Sequence, residues 1–150
     1  MASKKSRTGL KVQSTVSPSE ALDAVRSATA LRGERGVAKI QDKWQRGSLQ
    51  VLIDQDAGTY LDLKVAADQS QRGSLTFPAT AERINNDQTT LTVGGLLDYQ
   101  VLQTKLLGLI PVGPGSIIHY GFYMKFLERV RQEMLALDPD SGGDIRVLDA

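Results

Sequence analysis

The chain predicts an α+β fold in which a curved antiparallel sheet of six or seven strands is covered by a long C-terminal helix. Three observations predict it. Leu106–Leu137 is a Pro/Gly-punctuated turn followed by a broad amphipathic helical pattern. Most of the chain before it alternates apolar and polar residues between turn signals, as half-buried strands do. Between the first such strand and the others stands a capping box, Ser17-Pro18-Ser19-Glu20, which starts a second helix.

Taken in order, Met1–Thr8 is small, polar and basic, and residues 1–9 read as a mobile tail. Lys4, Lys5, Arg7 and Lys11 are few for holding a phosphate surface against salt. Leu10, Val12 and Ser14 then alternate with Lys11, Gln13 and Thr15 as a short strand. A helix should follow from Pro18 to about Leu31, with Gly33 as its stop. Its apolar residues are mostly small, Ala21, Ala24 and Ala28 beside Leu22 and Val25, so it can sit close to what it covers.

Gly36–Gln45 places Ala38, Ile40 and Trp44 on one face, with Asp42 among them, and Arg46-Gly47 reads as a turn. Ser48–Asp54 sets Leu49, Val51 and Ile53 on one face; Thr59–Ala66 sets Leu61, Leu63 and Val65 inward. Ser74–Arg83 offers Leu75, Phe77, Ala79 and Ala81, and Asn85-Asn86-Asp87 is a turn. Thr89–Thr104 is the longest strand candidate, with Leu91, Val93, Leu97, Tyr99 and Val101 together; its Gly94-Gly95 marks a bulge, a bend or a hairpin turn. Pro111 and Pro114 bar a regular strand or helix from Val112–Gly115, and Ser116 is placed to cap the last helix. At 100° per residue, His119, Tyr120, Tyr123, Phe126, Leu127, Val130, Met134 and Leu137 share one side of that helix. Lys125, Glu128, Arg129, Gln132 and Glu133 share the other. Ser141-Gly142-Gly143 makes residues 138–150 a flexible tail.

With 150 residues the chain reads as one domain, residues 10–137, large enough to bury a core. The net charge of +1 offers no overall field for nucleic acid, and none is expected as a partner. Cysteine is absent, which excludes disulfides and thiolate chemistry. No apolar run approaches the ~20 residues of a membrane span, so no membrane insertion is expected. Met1–Lys11 lacks the apolar segment of a secretory signal, and a cytoplasmic location is expected.

The order strand, helix, antiparallel strands and long C-terminal helix, carried by KVQSTVSPSEALDAV and GLIPVGPGSIIHYGFYMKFLERV, resembles the START/SRPBCC superfamily. That helix-grip superfamily includes polyketide-cyclase-like proteins, and the resemblance runs from Leu10 to Leu137. It implies a strongly curved sheet wrapped around the last helix, with a cavity between them. Six strands stand where seven are usual, unless Gly94-Gly95 divides one, and Arg32–Gly36 leaves no room for a second short helix. Both departures point to a smaller or collapsed cavity.

Few residues offer chemistry. His119 is the sole histidine, so no histidine metal cluster exists, and neither metal nor cofactor is expected. At a helix start it reads as a boundary residue bonded to backbone or water. Asp42 is the acid on an otherwise apolar face, solvated if its strand bends there. Gly113-Pro114-Gly115 matches no phosphate loop. The reading is non-catalytic binding of a small hydrophobic molecule. Its expected lining is Trp44, Ile53, Leu63, Phe77, Leu97, Tyr99, Tyr120, Tyr123 and Leu127, with Asp42 and His119 as polar contacts. Two alternatives stand beside it. One is a protein-interaction module without a cavity. The other is a cyclase- or hydratase-like enzyme using a tyrosine or His119 with Asp42.

Overall fold

The computed structural model describes residues 5–40, 43–67, 75–99, 101–106, 110–117 and 119–148, with backbone alone for 34–40, 43–48, 67, 101–106 and 110–116. Strand β1, Thr8–Ser14, leads into helix α1, Pro18–Ala28. The capping box forms: the Ser17 hydroxyl accepts from the Glu20 N–H at 3.1 Å, and the Glu20 carboxylate accepts from the Ser17 N–H at 3.3 Å. Two of the free N–H groups of the first turn are thereby satisfied, and Ala21, Leu22, Ala24, Val25 and Ala28 are buried.

Seven strands follow: β2 (Arg32–Ile40), β3 (Lys43–Asp56), β4 (Tyr60–Ala67), β5 (Leu75–Asn85), β6 (Gln88–Gly94), β7 (Asp98–Tyr99) and β8 (Val101–Leu106). Then come β9 (Ile110–Ile117), helix α2 (Tyr120–Leu137) and β10 (Gly142–Val147). The main sheet is antiparallel in the order β10-β1-β6-β5-β4-β3-β2 and curls into a half-barrel. The short β7 pairs with β5 beyond the end of β6. Strands β8 and β9 form a separate two-stranded sheet. Helix α1 packs on β5 and β6, and α2 packs on β1, β10 and α1. This is the helix-grip arrangement of the fold class expected.

The predicted inward faces are realised in the central strands. Leu10 and Val12 of β1, Leu61, Leu63 and Val65 of β4, Leu75, Phe77 and Ala79 of β5, and Leu91 and Val93 of β6 are all buried. From α2, Phe122, Tyr123, Phe126, Leu127, Val130 and Met134 meet them. Phe77 is a hub of the core, 5.0 Å from the Tyr123 ring and 5.7 Å from that of Phe126, centroid to centroid.

Five expectations are corrected. Arg46-Gly47 is not a turn but lies inside β3, where Gly47 pairs with Gly36 next to a bulge. The β2–β3 reversal falls at residues 41–42, so Trp44 belongs to β3 opposite Lys39, and Asp42 lies outside the described residues. Thr89–Thr104 is no single strand. Gly94 and Gly95 adopt φ of 107° and 75°, which a strand cannot continue through.

The prolines do not prevent β9. It is half of a two-stranded ribbon, where a missing N–H is tolerated, and its register jumps across Gly113-Pro114-Gly115. Ser116 stays in that strand, so α2 starts three residues later, with His119 as its N-cap in the left-handed region. Finally, the described parts of both tails, 5–9 and 138–148, are tied down. Lys5–Arg7 forms a turn whose buried Ser6 gives its carbonyl to the Leu96 N–H at 2.7 Å. Beyond α2, β10 pairs along β1 from Gly142↔Gln13 to Val147↔Thr8. Gly143 reads as a leash in sequence, yet it makes that pairing possible. A Cβ there would lie 2.9 Å from the Lys11 carbonyl oxygen and 2.9 Å from Val12 Cα.

Candidate functional site

The elements define two ends. At the lower end lie the end of β1, the β5–β6 turn and the C-terminus of α2. Asp138, which follows α2, accepts there from the Thr15 N–H at 3.1 Å and the Ser14 hydroxyl at 2.8 Å. It also accepts from the Thr15 hydroxyl and from the Asp140 N–H, each at 3.1 Å. Donation from the Thr15 backbone, then from Ser14, holds the Asp138 carboxyl down to about 2. An open polar recess of about 540 Å3 adjoins it, lined by Gln13, Ser14, Thr15, Asn85, Asn86, Asp87, Gln88, Asp138 and Asp140. Asp138 is spent on joining α2 to β1, and Gln88 donates to Gln13 at 2.8 Å. Among the described residues no group of three His, Asp or Glu is arranged to hold a metal ion.

The upper end is where β4 stops, β5 starts, and α2 begins. Of the expected lining, Leu63, Phe77, Tyr123 and Leu127 are fully buried and belong to one packed core. Tyr99 and Tyr120 are half-buried against that core at this end. Ile53 and Leu97 are at the surface, 37% and 67% exposed, because a bulge follows Ile53 and the Gly94-Gly95 bend turns Leu97 outward. Trp44 is described by its backbone, opposite Lys39. The pairing of His119 with Asp42 falls outside the described residues; the His119 carbonyl accepts the Tyr123 N–H at 3.2 Å.

Tyr123 is a latch within the core. Its hydroxyl donates to the Thr8 carbonyl at 2.6 Å and accepts from the Gly95 N–H at 3.2 Å. Burial pushes its ionisation far above the ordinary tyrosine range. Tyr120 sits farther out. It donates to the Lys5 carbonyl at 3.0 Å, with the Lys5 ammonium 5.8 Å from its ring centre. Phe122 and Ile117, which the sequence reading left out, are buried here, and the Phe122 ring lies against Gly33 at the start of β2. Phe122 escaped notice because it sits at the margin of the α2 stripe. Asp138 escaped because its partners are more than a hundred residues away in sequence.

Above this level two ribbons run on. Strands β2 and β3 pair with each other through Gly36–Ile40 and Lys43–Gly47, past the last β3–β4 pair, Leu49↔Ala67. The β8–β9 ribbon rises from β7 and returns to α2. No helix among the described residues is long and apolar enough to cross a membrane. Comparison of the chain with protein families, with curated proteins and with solved structures found no match.

Proposed function

We propose that the chain is a cytoplasmic START/SRPBCC-like domain that binds a small hydrophobic molecule without transforming it. The observation that carries this reading is the contrast along α2. Lower down, Phe77, Tyr123, Phe126 and Leu127 pack fully against one another. At the first turn, Tyr120 and Tyr99 are only half-buried, and two ribbons continue beyond the helix. A ligand would therefore lie at the upper end, against Ile117, Tyr120, Phe122 and Tyr99, and not deep along the helix. Burial of apolar surface supplies the affinity, and the Tyr99 hydroxyl orients a polar group of the ligand.

The filled lower core favours a second reading, a protein-interaction domain without a cavity. Titration with a fluorescent fatty acid, alongside mass spectrometry of the purified protein for a co-purifying apolar compound, separates the two. Saturable one-to-one binding that Tyr99→Phe weakens with far-ultraviolet dichroism unchanged supports the ligand reading. A wild-type protein that binds no apolar probe and carries none sinks it in favour of the interaction domain.

A further inference from the structure

The two ends of the sheet carry opposite charge, which the net charge of +1 conceals. Below, Asp87, Asp138 and Asp140 line the recess, and Glu20 lines a groove between the helices where Asp23 and Glu133 are paired with Arg26 and Arg129. Above, β2 and the first residues of β3 carry Arg32, Arg35, Lys39, Lys43 and Arg46. Lys5 and Arg7 reach the same end, since the Lys5 and Ser6 carbonyls hold the Tyr120 hydroxyl and the Leu96 N–H. The described acids there are Glu34 and Asp98.

The β8–β9 ribbon stands at this end on both feet. Its strands carry Val101, Leu102, Leu106, Ile110, Val112 and Ile117, with Lys105 and no acid. The chain's only tryptophan, Trp44, is on the basic ribbon. An apolar hairpin and a basic ribbon with a tryptophan thus share one end, while carboxylates collect at the other.

We infer that the upper end docks peripherally on an anionic lipid bilayer. The apolar composition of the β8–β9 hairpin suits it to the interfacial layer, where burial of apolar surface is favourable. The β2–β3 cations lie against the headgroups, and tryptophan favours the interfacial layer. Neither signal suffices alone; together they give stable yet reversible attachment. The acidic lower end is repelled by the same surface, which fixes the orientation. Duplex DNA would use the charge and leave the apolar hairpin without a role, so the bilayer accounts for more of this end. The inference goes beyond ligand binding and stands whether or not a ligand occupies the domain.

The test uses Trp44 emission and sedimentation with phosphatidylcholine vesicles, with and without phosphatidylserine. The expected result is a blue shift and co-sedimentation with the phosphatidylserine vesicles, reversed by salt. The double variant Lys39→Glu/Lys43→Glu should lower partition at least roughly tenfold. Leu106→Asp should also lower it, with far-ultraviolet dichroism unchanged. If a variant unfolds, the salt titration of the wild type decides. Absence of any shift or sedimentation with either vesicle overturns the inference, as does retention by duplex DNA without a vesicle response.

Discussion

The lower and upper ends of this half-barrel are built from the same antiparallel strands but are finished differently. At the lower end long-range polar contacts close the structure. Asp138 ties the end of α2 to Ser14 and Thr15, and Arg26 of α1 pairs with Asp56 at the end of β3 at 2.8 Å. Above, the Tyr123 hydroxyl makes a part-buried tie to Thr8 and Gly95. Beyond it the described strands continue as the two-stranded pairings β2–β3 and β8–β9. The difference teaches that the long-range polar ties and the packed core are concentrated below, while the sheet thins to paired strands above.

Five substitutions and one control sharpen that division. The largest effect is expected at Leu127, which is fully buried in the lower core. Leu127→Ala should cost ~2–5 kcal/mol by urea unfolding, through lost transfer energy and the void left behind. Glu128→Ala is its control, since Glu128 pairs with Arg131 on the outer face and should change stability by less than about 0.5 kcal/mol. Equal small effects would show that α2 is peripheral.

Next comes the latch. Gly94→Ala places a methyl against the Tyr123 hydroxyl and 3.0 Å from Gly9 Cα, at a φ of 107°. Strain of that kind costs about 1–3 kcal/mol. Tyr123→Phe removes the hydroxyl that joins the Gly95 N–H to the Thr8 carbonyl and should cost ~1–3 kcal/mol in the same assay. A smaller expected effect is that of Ser17→Ala, about 1 kcal/mol, for loss of the capping box. An unchanged urea midpoint would remove the cap from the account.

The smallest effect is tuned by pH. The Asp138 carboxyl sits at about 2 in the folded chain, below the ~3.9 of an unfolded aspartate. A depressed folded value means that the contribution is complete above about 4 and is lost as pH falls through about 2. Asp138→Asn should therefore lower the urea midpoint at neutral pH, and the gap from wild type should close on acidification through that window. A gap that stays constant would show that the carboxylate charge is not what holds the tie.

Much of this was legible in the sequence because it is local. Ser17 and Glu20 are three residues apart, and the faces of β4, β5 and α2 follow from periods of two and 3.6. What was not legible depends on partners distant in the chain. Gly142-Gly143 has the composition of a leash, and only its neighbour β1 makes it a strand. Arg46-Gly47 has the composition of a turn, but the alternation on either side of it carries β3 through. Pro111 and Pro114 break central strands and are tolerated in a ribbon. Of the candidate residues, Tyr99 and Tyr120 were picked from their type and spacing and lie half-buried against the core. Leu97 was misplaced because its face was counted through Gly94-Gly95, where the count is lost.

Native-state hydrogen exchange tests the division most directly. The account predicts that the amides of Phe126–Met134 in α2, of β5 and of β6 exchange only through global unfolding. Those of β10 should be protected by their pairing with β1, and those of Gly36–Ile40 and Lys43–Gly47 should exchange through smaller, local openings. Exchange of Phe126–Met134 through an opening well below the global free energy, with β2–β3 as protected as β5, would contradict it.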